Sequence, residues 1–183
     1  MTSLSNNLWK KSATEVVSLL KNKEISSEDA LNSNLKRINE THSSINAVIT
    51  VCEDRARKQI KNLNTTNQNH PGYLHGLPVV IKDLTNVKGV RTTYGSKIYK
   101  DHIPEASDFL VERIEQMGGV IIGKTNTPEF GAGSQTFNEV FGETPNPWNL
   151  GDTSGGSSGG TASALAAGAA WVGTGTDLGG SLR

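Results

Sequence analysis

Two glycine-rich runs close to each other carry most of the chemistry this sequence can offer. One reads Gly155-Gly156-Ser157-Ser158-Gly159-Gly160. The other reads Gly173-Thr174-Gly175-Thr176-Asp177-Leu178-Gly179-Gly180-Ser181-Leu182-Arg183. Glycine at this density marks backbone that takes positive φ or passes close to another group. A serine set among glycines presents its hydroxyl, and the neighbouring N–H groups, to a ligand. Such a loop can seat an anion or an oxyanion. A flexible Gly/Ser linker has the same composition. Here, however, the two runs enclose Ala164-Leu165-Ala166-Ala167-Gly168-Ala169-Ala170-Trp171-Val172, an apolar stretch that belongs in a packed interior.

Other chemistries find little support. His42, His70, His75 and His102 stand in no metal-ligand spacing with another His, Cys or carboxylate. No suitable histidine accompanies either serine for a Ser-His-Asp arrangement. No metal and no cofactor are expected. Gly118 to Thr125 fits the phosphate-loop pattern G-x-x-x-x-G-K-[ST]. That loop needs a strand before it, a flexible crown and a helix after it. Here a helical pattern precedes, the crown is Val120-Ile121-Ile122, and Pro128 follows soon after, so a nucleotide site is not expected.

The elements that must position the serines can be read in order. Ser12-Ala13-Thr14-Glu15 is a capping box opening a helix with Val16, Leu19 and Leu20 on one side. Ser26 or Ser27 caps a second helix, striped by Ala30, Leu31, Leu35 and Ile38. Ile45 to Val51 is β-prone, and Glu53 to Leu63 is helical in pattern. Asn64 to Gly72 is a polar surface loop. Pro78-Val79-Val80-Ile81 reads as a buried strand, with Lys82 at its C-terminal end, where sites gather in open α/β sheets. Read locally, a lysine in that place is a solvated strand terminus. Ser107 is the expected cap of a helix to Met117, with Leu110, Val111 and Ile114 inward. Gly118-Gly119 ends it, and Val120-Ile121-Ile122 is a further buried strand. Phe130 to Leu150 is a long Gly/Asn/Pro-rich segment with little regular pattern, a feature of functional loops.

The GGSSGG run, the small-residue segment after it and the Gly175-Thr176-Asp177-Leu178-Gly179-Gly180-Ser181-Leu182-Arg183 run together resemble the amidase signature family. Gly76-Leu77-Pro78-Val79-Val80-Ile81-Lys82-Asp83 is similar to that family's lysine motif. The resemblance implies an α/β amidase signature fold, a mixed β-sheet core covered by helices. Residues 1–183 are then the N-terminal portion of a single amidase signature domain, incomplete after the signature motif, and alone they are expected not to turn over amides. It further implies a Ser–cis-Ser–Lys triad: Ser181 as nucleophile, Ser157 as the serine after a cis peptide, and Lys82 as the base. Leu178, Gly179 and Gly180 would supply oxyanion-hole N–H groups, Gly131 would contact substrate, and Ser158, Asp177 and Arg183 would support the loops.

A serine hydroxyl is a poor nucleophile until a base takes its proton. A buried amine can be that base, because desolvation disfavours its charged form. The expected reaction is hydrolysis of a carboxylic amide C–N bond through an acyl-enzyme on Ser181. Two alternatives stand beside it. One is the A subunit of a glutamyl/aspartyl-tRNA amidotransferase, disfavoured because Thr127-Pro128-Glu129-Phe130 replaces that subunit's usual Asp-Glu-Phe. The other is a non-catalytic anion-binding module.

Composition bounds the partners. Lys+Arg and Asp+Glu are both 18, so the formal charge is zero, and neither a nucleic-acid nor a membrane surface is indicated. A small-molecule amide is the expected partner, with nucleic acid only for the amidotransferase alternative. The single cysteine, Cys52, excludes an intramolecular disulfide. The run from Met1 to Trp9 has neither a basic nor an apolar leader segment, so a cytoplasmic location is expected.

Overall fold

A computed structural model describes residues 5–183. The leader reading of residues 1–4 lies outside the described part. Helix α1 (Ala13–Lys21) starts as the sequence specifies. Ser12 Oγ accepts from the Glu15 N–H, and the Glu15 carboxylate accepts from the Ser12 N–H at 2.8 Å. Helix α2 (Ser27–Ile45) repeats the device, with Ser26 as the cap and Asp29 as the reciprocal acceptor. Strand β1 (Val48–Val51) and helix α3 (Glu53–Lys61) follow, then strand β2 (Pro78–Lys82), helix α4 (Phe109–Gln116) and strand β3 (Val120–Thr125).

Between Phe130 and Leu150 the expectation of little regular structure is revised. Two short hairpins form, β4 (Phe137–Asn138) with β5 (Gly142–Glu143) and β6 (Pro145–Asn146) with β7 (Asn149–Thr153). Three of these four strands have only two residues, too short to show the alternation by which a strand is read. Helix α5 (Gly159–Ala166) and strand β8 (Val172–Gly173) complete the chain's regular elements.

The main sheet has the order β1-β3-β2-β8. β1 runs antiparallel to β3, while β3 and β8 flank β2 in parallel. The fold is thus a mixed sheet with helices on it, as expected. β2 and β3 are buried along their whole lengths, which explains their unbroken apolar runs. Val80, Val120 and Ile122 face a core built with Leu31, Ile38, Ala56 and Ala164 from α2, α3 and α5. Val79, Ile81 and Ile121 face the other way, against Val87, Val90 and Val111.

Several local expectations change. Asp108, not Ser107, stands at the start of α4. Ser107 Oγ instead accepts from the Lys88 N–H and the Asp108 carboxylate from the Asn86 N–H, tying the preceding loop to the helix entrance. Leu110 is exposed rather than inward, while Val111 is buried; a single turn of this short helix meets the sheet. The alanine-rich stretch is only half interior. Ala164, Ala169 and Ala170 are buried, but Leu165 lies on the outside of α5. Gly118 to Thr125 is no phosphate loop, because Gly123, Lys124 and Thr125 continue β3. No helix among the described residues is long and apolar enough to cross a membrane.

α5 sits unusually close to the turn after β3. A Cβ on Gly160 would lie 2.3 Å from the Asn126 nitrogen and 2.4 Å from its carbonyl oxygen. Both obstacles are backbone, so neither can swing aside. Gly160→Ala is therefore expected to lower stability by roughly 1–3 kcal/mol, read as a reduced urea midpoint with an unchanged slope. An unaltered midpoint would show that the turn and helix can separate at little cost.

Candidate active site

The site lies at the C-terminal end of β2, where three segments meet. β2 delivers Lys82, which is fully buried. Its backbone is pinned from the segment after β8, the Lys82 N–H donating to Thr174 Oγ1 at 2.9 Å. Just past β8 the Thr174 N–H donates to the Val80 carbonyl at 3.0 Å, prolonging the strand pattern in which side chains two apart share a face. Thr176 accordingly joins Thr174 in facing Lys82, and its Oγ1 accepts from Lys82 Nζ at 2.7 Å.

The loop before α5 supplies the next two groups. The Gly156–Ser157 peptide is cis. The Thr127 hydroxyl donates to the Ser157 carbonyl at 3.2 Å, and the Thr136 hydroxyl donates to the Gly155 carbonyl at 2.7 Å. Held this way, Ser157 Oγ accepts from Lys82 Nζ at 2.7 Å and Ser158 Oγ does so at 3.0 Å. Ser181, from the last glycine-rich run, closes the cluster. Its Oγ lies 3.2 Å from Ser157 Oγ and 2.6 Å from Ser158 Oγ. Lys82, Ser157 and Ser181 are thus brought together, with Ser158 touching both ends.

The electrostatics follow from what is missing around the amine. Its three acceptors are neutral hydroxyls, and burial pulls the Lys82 amine down from its ordinary value to about 8. The carboxylate next in sequence is kept away. Asp83 follows Lys82 directly and so points to the opposite face of the sheet. There it pairs with Lys124 Nζ at 2.9 Å and accepts from the Thr93 N–H and hydroxyl.

Asp177 shapes the loop that carries Ser181. Its carboxylate accepts two hydrogen bonds from Arg183 at 3.0 Å, one from the Gly180 N–H at 2.7 Å and one from the Leu182 N–H at 3.1 Å. The Arg183 guanidinium, then these N–H groups, hold the carboxyl down to about 2. Of the expected oxyanion donors, the Gly180 N–H is engaged by Asp177. The N–H groups of Leu178 and Gly179 donate to no protein atom among the described residues. Gly180 has φ +118, which excludes other residues, whereas a Cβ on Gly179 would project into open space.

Gly131 is not drawn into the cluster. Its N–H donates to the Pro128 carbonyl, and a Cβ there would lie 2.8 Å from Leu84 Cδ2. Its neighbours Pro128, Glu129, Ala132, Ser134, Gln135 and Phe137 instead line a cavity of about 440 Å³. The Ser134–Gln135 backbone packs against Gly156, so this cavity adjoins the Ser157 loop. Cys52 stays outside the chemistry, burial pushing its thiol up to about 11. No group of His, Cys, Asp and Glu that could hold a metal occurs among the described residues.

Sequence reasoning missed Thr176 and the double contact of Ser158. The alternation Thr174-x-Thr176 after a short strand was the available signal for the first. No sequence pattern reports the second, which depends on how the last loop folds back.

Comparison with known proteins bears on the family and the fold. The family described as Amidase matches residues 29–183. The glutamyl-tRNA(Gln) amidotransferase A subunit of Halothermothrix orenii is 42% identical over 169 residues, 92% of this chain and 34% of that protein. Among solved structures, fatty acid amide hydrolase superposes with a TM-score of 0.88 at 28% identity, over 100% of this chain and 33% of its own. 6-Aminohexanoate cyclic dimer hydrolase complexed with substrate gives 0.79 at 34% identity, over 90% and 33%. The chain spans about a third of the length of the curated relatives it matches. By its match over residues 29–183 and the fold it shares with these enzymes, the chain belongs to the amidase signature family.

Proposed function

We propose that this chain carries the reacting groups of an enzyme that hydrolyses a carboxylic amide C–N bond, with Ser181 as nucleophile. The observation that carries the reading is the unbroken hydroxyl connection from a buried, carboxylate-free lysine to Ser181. Neutral Lys82 accepts the proton that Ser157 passes on as Ser157 takes that of Ser181. The Ser181 oxygen then attacks the amide carbon. The proton returns along the same groups to the leaving nitrogen, and water releases the acyl group. The N–H groups of Leu178 and Gly179 are the donors available to the oxyanion. Asp177 and Arg183 hold the loop, and Gly131 supports the cavity wall without reaching the reacting atoms.

A second reading is favoured by one finding. The Halothermothrix orenii relative and others at about the same identity are A subunits of glutamyl-tRNA(Gln) amidotransferase. In that case the amide belongs to a donor whose nitrogen is passed on to a tRNA-bound acceptor. Thr127-Pro128-Glu129-Phe130 favours the stand-alone enzyme. In a form extended beyond Arg183, hydrolysis of simple aryl amides without any added component supports the first reading. A co-purifying partner protein, with turnover only in its presence, supports the second.

Two outcomes are expected. In that extended form, Ser181→Ala abolishes covalent acylation, and Lys82→Met slows it by about 10²–10⁴, the usual worth of general-base help. Mass spectrometry that finds the acyl group on Ser157 would overturn the assignment. The rate should also rise as pH passes through about 8 and level off above, because only the amine with its proton lost can accept another. A profile that is flat from neutral to alkaline pH and unchanged by Lys82→Met removes Lys82 from the reaction.

A further inference from the structure

The shorter hydroxyl contact to Ser181 comes from Ser158, not from Ser157. Ser158 Oγ is 2.6 Å from Ser181 Oγ and 3.0 Å from Lys82 Nζ. Ser157 Oγ is 3.2 Å from Ser181 Oγ and 2.7 Å from Lys82 Nζ. Each serine therefore bridges nucleophile and amine with one short link and one longer link. Both are buried, at 4% and 7% exposure. Thr176 differs: it touches Lys82 but makes no hydrogen bond to Ser181 among the described residues. We infer that Ser158 forms a second proton path between Ser181 and Lys82, parallel to the one through Ser157; the inference rests on the amidase reading above.

The hydrogen-bond inventory of Ser158 suits it to this task. A hydroxyl has one proton to donate and two lone pairs to accept with. Ser158 Oγ accepts from the Thr176 N–H at 3.3 Å, and the Thr176 carbonyl, also at 3.3 Å, is a weak place for its own proton. While Lys82 is an ammonium, it donates to Ser158. Once Lys82 is neutral, its lone pair is a better acceptor than that distant carbonyl. The Ser158 proton then turns to Nζ, and one lone pair becomes free for the Ser181 hydroxyl. All three positions on Ser158 are filled: the Thr176 N–H and the Ser181 O–H in, Lys82 Nζ out.

The step balances without any added reagent. The Ser181 O–H bond breaks as its proton joins the Ser158 oxygen. The Ser158 O–H bond breaks as that proton joins the Lys82 lone pair. The electron pair left on the Ser181 oxygen forms the bond to the amide carbon, and the carbonyl π pair moves onto its oxygen. When the C–N bond breaks, Lys82 returns a proton through the same hydroxyl to the leaving nitrogen.

The test measures the rate of Ser181 labelling by a fluorophosphonate in the intact protein and five variants, each checked for folding by circular dichroism. These are Ser181→Ala, Lys82→Met, Ser157→Ala, Ser158→Ala and the double variant Ser157→Ala/Ser158→Ala. Rates through parallel paths add. Each single relay variant should thus lose less than about tenfold, while the double variant falls to the Lys82→Met level, about 10²–10⁴ below the unsubstituted protein. Ser157→Ala at the Lys82→Met level would overturn the second path. So would a double variant as fast as Ser157→Ala, since water filling the gap would then be the carrier. If the double variant does not fold, the pH profile of Ser157→Ala decides. A rise matching the unsubstituted protein supports the path to Lys82, and a flat profile overturns it. Undiminished labelling of Ser181→Ala would instead sink the amidase reading itself, a distinct result.

Discussion

Everything in this site depends on an amine that is buried without a counter-ion. Removing a charged ammonium from water is costly, and a buried lysine normally recovers that cost by pairing with a carboxylate. Lys82 is given three hydroxyls instead. Hydroxyls solvate an ammonium moderately and a neutral amine equally well, because each can donate as readily as accept. The arrangement therefore tolerates both protonation states of Lys82 and commits to neither. Such tolerance suits the proton-accepting role proposed for Lys82.

The same sheet holds a second lysine treated in the opposite way. Lys124, on the adjacent parallel strand, is also fully buried, yet it meets the Asp83 carboxylate and the Thr92 hydroxyl. Ile81 is the cross-strand partner of Lys124, and Lys82 that of Thr125. The two amines consequently project to opposite faces. The period of two along β2 and its continuation does the sorting. It sends the only adjacent carboxylate to the Lys124 face and leaves the other face to hydroxyls. A carboxylate within reach of Lys82 would favour its charged form and defeat it as a base. Lys124 and Asp83 thus form a structural pair whose separation from Lys82 is a consequence of strand geometry.

What the sequence discloses follows from how local the determinants are. The two capping boxes are four-residue devices, complete within the sequence; the one at Ser12 stands where it was expected, and of the two expected caps for the second helix, Ser26 is the one used, with Asp29 as its reciprocal acceptor. β2 and β3 show as apolar runs because both faces are covered. Lys82 is the opposite case. From its own neighbourhood it reads as a solvated terminus, and its burial comes from segments some 75 and 94 positions away. Only the joint pattern of the lysine and serine runs brings it into a site. Leu110 misleads for a related reason: a helical stripe says which side is apolar, but not how few turns of a short helix meet the sheet. The Gly180 N–H was expected to face a ligand, but its Asp177 partner is fixed only by the way the last loop closes on itself.

That loop closure links stability to the placement of Ser181. Asp177 gathers N–H groups from both sides of Ser181 and a bidentate guanidinium from Arg183, a rigid form of ion pair. The carboxylate thereby acts as the hub of a seven-residue turn, not as a proton carrier; its proton affinity is far too low to compete with Lys82. Holding the turn from the inside leaves Leu178 exposed and Gly179 unencumbered on its outer face. Thus the site separates its two electrostatic tasks. A carboxylate–guanidinium pair near the surface fixes geometry, and an uncharged hydroxyl cluster in the interior surrounds the amine proposed to move protons. Exchanging the two would fail on physical grounds: a hydroxyl hub could not order the turn against solvent, and a carboxylate beside Lys82 would keep it charged.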